Sequence, residues 1–167
     1  MNTEFGRYRP LIEAVATQHG LPPLLVAAVA QRESAFKADA FRHEPQFWVR
    51  YMKSSPQYHH LHPRRYASSY GLMQPMWVVA VEEGLDQARP PEVLFVPEES
   101  LEYGCRRLRK CLDWAKQFVG ASEKEALLSG LAAYNGGRNA ANKPPNPRNI
   151  AYALRVWQHM IELGKVA

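Results

Sequence analysis

Apolar positions recur at helical spacing along most of the chain, and one run stands out. From Leu24 to Ala30 every residue is apolar, and the run finishes in Gln31-Arg32-Glu33-Ser34. Leu25, Val29 and Glu33 stand at i, i+4 and i+8, so a helix through this run carries a carboxyl group on its inward stripe. Pro22 and Pro23 open that helix. Ahead of it, a short helix begins near Pro10, buries Leu11, Ile12, Val15 and Ala16, and stops at His19-Gly20. Residues 36–69 lose the rhythm. The stretch Arg42-His43-Glu44-Pro45-Gln46-Phe47-Trp48 is aromatic and irregular, and Lys53 to Tyr66, rich in Pro, His and Ser, reads as a surface loop and a candidate lid. Ser68 or Ser69 is placed to cap a helix bearing Val78, Val79 and Val81. A long helix from about Glu98 to Gly120 has the stripe Leu101, Cys105, Leu108, Leu112, Ala115 and Val119. Ser122 and Glu125 form a capping box for the next helix, which holds Leu127, Leu128 and Leu131 and breaks at Gly136-Gly137. After a Pro/Asn loop over Asn142 to Pro147, Asn146-Pro147 starts a last helix, with Ile150, Leu154, Trp157 and Ile161 as its apolar face. No strand, repeat or second domain is expected. The class is all-α, about six or seven helices in one domain over residues 1–167.

Composition narrows this little. At 167 residues, 46% hydrophobic and 22% charged, the chain suits a globular domain with a sizeable core. No stretch approaches the ~18 apolar residues of a membrane span, so stable membrane insertion is not expected. The N-terminus shows no apolar signal core, and the expectation is synthesis in the cytoplasm without a signal peptide. Cys105 and Cys111 lie six apart on one helix, too far along its axis to bridge. The net charge of +5 favours a polyanionic partner. Nucleic acid, anionic cell wall and membrane surface all qualify, but no zinc-finger spacing, Walker loop or aromatic RNA-binding signature accompanies the cluster Arg106-Arg107-Arg109-Lys110. That cluster reads as a solvated helix face, and nucleic acid is not the expected partner. His59, His60 and His62 have no second cluster at ligand spacing, so no metal is expected.

The chemistry sits at Glu33. Burial disfavours its ionised form, and so does the negative end of the helix macrodipole. A carboxylic acid kept protonated near neutral pH is what glycoside cleavage needs to protonate a leaving oxygen. The competing reading is a glutamate at a frayed helix end with its carboxylate in water.

Three motifs follow in order: Glu33-Ser34, Gly71-Leu72-Met73-Gln74, and Ala133-Tyr134-Asn135-Gly136-Gly137. Together they resemble the catalytic domain of soluble lytic transglycosylases, whose lysozyme-like fold is shared with goose-type lysozymes. The resemblance covers about residues 10 to 160. It extends to Leu94-Phe95-Val96-Pro97, to Leu101 through Leu108, and to Tyr152-Ala153-Leu154-Arg155-Val156. Glu44-Pro45-Gln46-Phe47 is similar to a segment of phage-associated members. The chain departs from the commoner pattern in a longer gap from Glu33 to Gly71 and in Pro75-Met76-Trp77 after Gln74.

The resemblance implies a peptidoglycan-cleaving enzyme that cuts between N-acetylmuramic acid and N-acetylglucosamine and forms 1,6-anhydromuramic acid. Glu33 is the implied general acid and base, and no cofactor is needed. Ser34, Met73, Gln74, Tyr134, Asn135 and Tyr152 are the implied substrate-site residues. Glu44 stands as a possible second carboxylate, either holding a water as in a hydrolytic lysozyme or pairing with Arg42 or Arg50. The partner expected is the peptidoglycan glycan strand, and the protein is expected to be a monomer. It would act in the periplasm or cell wall, delivered by a phage particle or a pore. The alternatives are a goose-type muramidase and a wall-binding or tail protein without activity.

Overall fold

The apolar run 24–30 forms the middle of α2 (Pro23–Ser34), and every residue from Leu25 to Ala30 is buried. A helix apolar on all sides needs neighbours on all sides. It packs against α1 (Thr3–Gln18) and, more extensively, against α8 (Pro147–Gly164). The computed structural model describes residues 3–119, 122–138 and 147–165.

Helix α1 begins seven residues before Pro10. Phe5 and Tyr8 extend the buried stripe of Ile12 and Ala16 at helical spacing, and that burial outweighs the proline inside the helix. Gly20, at φ 63°, ends it as expected. Helix α6 (Pro97–Phe118) buries Leu101, Cys105, Leu108 and Ala115, and it packs along α7 (Glu123–Gly136). The capping box at α7 is present: the Glu125 amide donates to Ser122 Oγ at 3.2 Å. The two cysteines are free, buried thiols.

Three expectations are corrected. A strand pair does exist: β1 (Phe41–His43) runs antiparallel to β2 (Ser68–Tyr70), with Phe41 opposite Tyr70 and His43 opposite Ser68. Three residues per strand are too few to show a period of two. Ser68 and Ser69 therefore lie in β2 and cap nothing. After Gly71 (φ 71°) and Gln74 (φ 52°) turn the chain, helix α5 (Trp77–Glu82) starts from Met76 without a side-chain cap. The last helix is rotated from the expected face. Ile150, Leu154 and Ile161 are exposed and Trp157 is half-buried, while Tyr152, Ala153, Val156 and Leu163 face the core. Of the loop before that helix, residues 142–146 lie outside the described residues.

Two large apolar clusters result, beside a small one of Cys111, Ala132 and Ala133. One joins α1, α2, α6, α7 and α8 through residues such as Ile12, Val26, Phe36, Leu108, Leu131 and Val156. The other gathers Met52, Tyr70, Trp77, Leu94 and Tyr103. Between Glu44 and Ala67 the chain forms a short turn, α3 (Pro45–Phe47), a π-helical turn over Trp48–Met52, and α4 (Pro63–Tyr66). Tyr58, Leu61 and Tyr66 from this region pack on the second cluster, and the Tyr66 ring meets Trp77 edge to face at 4.9 Å. Among the described residues, no helix is long and apolar enough to cross a membrane.

Candidate active site

An open groove of about 700 Å³ takes its walls from both clusters. Glu33 and Tyr134 come from the first side. Phe47, Met76 and Val79 come from the second.

Glu33 is the penultimate residue of α2. Ala35 and Phe36 then adopt left-handed backbone, φ 52° and 61°, without being glycine. Such strain needs support from packing, and Phe36 has it: its side chain is fully buried, with its ring 5.6 Å from that of Phe5. The turn holds the helix end at the groove. Glu33 lines the groove and stays half-buried. Tyr152, itself buried, donates its hydroxyl to Glu33 Oε1 at 2.6 Å. Burial pushes the Glu33 carboxyl above its ordinary value of 4.5. The Tyr152 hydrogen bond and the charges of Arg42 and Arg32 draw it part of the way back, and the Glu44 charge adds to the rise. Burial, then the charge of Glu33, pushes the Tyr152 phenol well up, so it remains a donor.

The other expected site residues divide into wall and frame. Gln74, Tyr134, Asn135 and Glu44 line the groove with Glu33. Gln74 nonetheless commits its amide nitrogen to the carbonyls of Ala40 and Gly71, at 3.0 and 2.9 Å. Tyr134 donates its hydroxyl to the Met73 carbonyl at 2.8 Å. Asn135 is tied by its amide to Asn149 Oδ1 at 2.7 Å. Glu44 Oε1 accepts from Arg42 Nε, so of the two arginines the sequence offered it the ion pair is with Arg42.

Ser34, Met73 and Tyr152 do not line the groove. Ser34 is buried and directs its hydroxyl at the carbonyls of Ala30 and Leu72, 3.1 and 2.9 Å away. The expected contact of Met73 with a sugar is corrected. Its side chain is fully buried, its sulfur 3.9 Å from Cys105 Sγ, and the room it fills exists because residue 104 is glycine. Ser34 and Met73 instead fix the loop from Gly71 to Pro75, whose Met73 amide also donates to Ser100 Oγ at 3.1 Å, while Tyr152 holds Glu33.

Sequence reading assigned no site role to two wall residues with charge or aromatic character. Arg107 was absorbed into a helix face that looked solvated, and Tyr51 carried no motif. No residue of 53–66 lines the groove, and Tyr58, Leu61 and Tyr66 of that stretch pack on the second cluster. His59 Nδ1 lies 2.9 Å from the Ser55 carbonyl oxygen. Among the described residues, no three His, Cys, Asp or Glu side chains gather as a metal site.

A mostly helical domain whose half-buried glutamate at a helix end faces an open groove is of the lysozyme-like class. The chain belongs to the family described as the Transglycosylase SLT domain, whose profile matches residues 10–151. Among solved structures it is similar to an inactive mutant of the lytic transglycosylase Slt from Pseudomonas aeruginosa, with a TM-score of 0.66 and 20% identity. That match covers 95% of this chain and 24% of the other, so this chain spans about a quarter of that protein. No curated protein matches the chain.

Proposed function

We propose that the protein is a peptidoglycan lytic transglycosylase in which Glu33 acts first as acid and then as base. The observation that carries this is the pairing of Glu33 with Tyr152, at the groove, under burial that favours the protonated carboxyl. Glu33 gives its proton to the oxygen between N-acetylmuramic acid and N-acetylglucosamine as that bond breaks, with the acetamido group of the substrate assisting. The resulting carboxylate takes the proton of the muramoyl O6 hydroxyl. O6 then bonds to C1, a 1,6-anhydro ring closes, and Glu33 is protonated again. Tyr152 supports both states, since its hydroxyl can donate to the carboxylate and to the carbonyl oxygen of the acid.

Family membership supports the substrate class. A hydrolytic lysozyme needs a second group to hold a water. Glu44, the other carboxylate on the groove wall, is engaged by Arg42, which favours ring closure over hydrolysis. A tethered O6 also competes well with water, since effective molarities of roughly 10⁵ M are reached in aligned cases. The domain works as a monomer on glycan strands in the cell wall.

Mass spectrometry of digested cell walls tests the reading. Fragments should end in 1,6-anhydromuramic acid, one water lighter than hydrolytic ends. Mainly reducing ends would replace the proposal with a muramidase, and an absence of cleavage would replace it with a wall-binding protein.

A further inference from the structure

The groove contains an arginine that the chemistry at Glu33 leaves unused. Arg107, on α6, lines the wall together with Tyr134 and Asn135. Behind it stands Glu83, just past the end of α5, with its carboxylate side chain only 1% exposed. A carboxylate this deep persists only with cations against it. Lys110 Nζ is 2.5 Å from Glu83 Oε2, and Arg107 Nη1 is 3.6 Å from Oε1. Neither oxygen has a hydrogen bond of ordinary geometry, so the pairing is one of charge. Arg107 Nη1 is also 3.7 Å from Glu82 Oε2.

This arrangement differs from other ion pairs of the fold. Arg65 bonds Glu92 at 2.6 and 2.8 Å, Arg89 bonds Glu99 at 2.7 and 3.1 Å, and Arg106 bonds Glu102 at 2.7 Å. Arg107 stands back from both its carboxylates. Among the described residues its guanidinium donates no hydrogen bond. A guanidinium has five donors in a fixed fork that suits a carboxylate. Here the charge is held from behind while the donors remain unspent at the groove.

We propose that Arg107 recognises a carboxylate carried by the glycan strand, with Glu83 as the positioning residue that keeps the guanidinium at the wall. The inference rests on the peptidoglycan reading above. Such a carboxylate has two sources: the stem peptides, or the lactyl group of muramic acid where the peptide has been removed.

Binding separates this proposal from the catalytic one, because it needs no turnover. In a Glu33→Gln background, the Kd is measured for three strands: peptide-bearing, freed of peptide by an amidase, and freed of peptide with the lactyl carboxylates capped as amides. Adding Arg107→Gln should weaken binding of a carboxylate-bearing strand about ten- to a hundredfold, the range for a charge-assisted hydrogen bond. The capped strand should change by less than about threefold. Arg107→Lys should recover part of the loss, since it restores charge without the fork. A loss confined to the peptide-bearing strand places the carboxylate on the peptide, and a loss confined to the uncapped bare strand places it on the lactyl group. Equal weakening of all three strands, or none, overturns the proposal. Melting temperatures of the variants identify any that fail to fold, and Arg107→Lys, which keeps the charge facing Glu83, then carries the comparison.

Discussion

At Glu33 the environment decides the chemistry. Glutamine keeps the shape of the side chain but neither gives nor recovers a proton, so Glu33→Gln should lower turnover by about 10²-fold or more, with helical circular dichroism unchanged. In the wild type, activity should fall on the alkaline side as Glu33 ionises, at a pH above its ordinary 4.5. The same shift bears on stability. The folded pKa lies above the unfolded one, so the contribution of Glu33 is fully present below the unfolded value and is lost as pH rises through the folded value. The glutamine variant has no such loss. Its melting temperature should match or exceed that of the wild type near neutral pH, and the gap should close toward about pH 4. Melts across that range check the sign, and a gap that widens toward acid contradicts burial as the cause. Glu44→Gln removes an anion that raises Glu33 and frees Arg42, whose charge lowers it. Both changes move the alkaline limb to lower pH in an activity–pH profile, while the product keeps its anhydro end. The carboxyl at i+8 of an apolar run was legible in the sequence. Its partner was not located to a hydrogen bond, since Tyr152 lies 119 residues away.

At the scale of elements, the short loop 71–75 does the joining. It receives Ser34 from α2, Tyr134 from α7 and Ser100 from α6, and the Gly71 amide donates to the Ala40 carbonyl at 2.9 Å. Gly71 is required twice over. Its φ is 71°, and a Cβ there would lie 2.2 Å from the Leu94 carbonyl oxygen. Gly71→Ala should therefore cost about 2 kcal/mol or more in denaturant unfolding. Gly6, within α1 and with nothing near its Cβ position, makes the contrast: Gly6→Ala should gain about 0.5–1 kcal/mol. Equal effects at the two sites would mean that the loop is not the joint described here. The motif Gly71 to Gln74 was visible in the sequence, but Met73, one of its two expected substrate contacts, is fully buried and frames the loop. A side chain that binds a sugar and one that binds a carbonyl of its own chain carry the same donors and acceptors.

At the scale of the whole molecule, two apolar clusters leave a groove between them, and three arginines, Arg42, Arg50 and Arg107, stand on its wall. With a net charge of +5, the groove should draw anionic strands by long-range attraction. Raising salt shortens the screening length from about 10 Å at 0.1 M to about 3 Å at 1 M. KM should accordingly rise with salt while kcat changes little, and a kcat that falls in step with KM would place the salt effect on the chemistry instead.

The sequence by itself determined the helical class, the limits of α2, α6 and α7, and the carboxyl that the groove presents. Those features are written in local periodicity, caps and one buried run, which need no knowledge of partners. Only the tertiary structure decided the short strand pair and the rotation of α8. In that helix, Ile150, Leu154 and Ile161 offered a stripe as regular as the one that is buried, and packing chose the face that brings Tyr152 to Glu33 and small Ala153 into the core. It also decided which side chains meet the groove. Arg107 looks like its neighbours Arg106 and Arg109 in the sequence, and only the position of a buried Glu83, just past the end of α5, sets it apart.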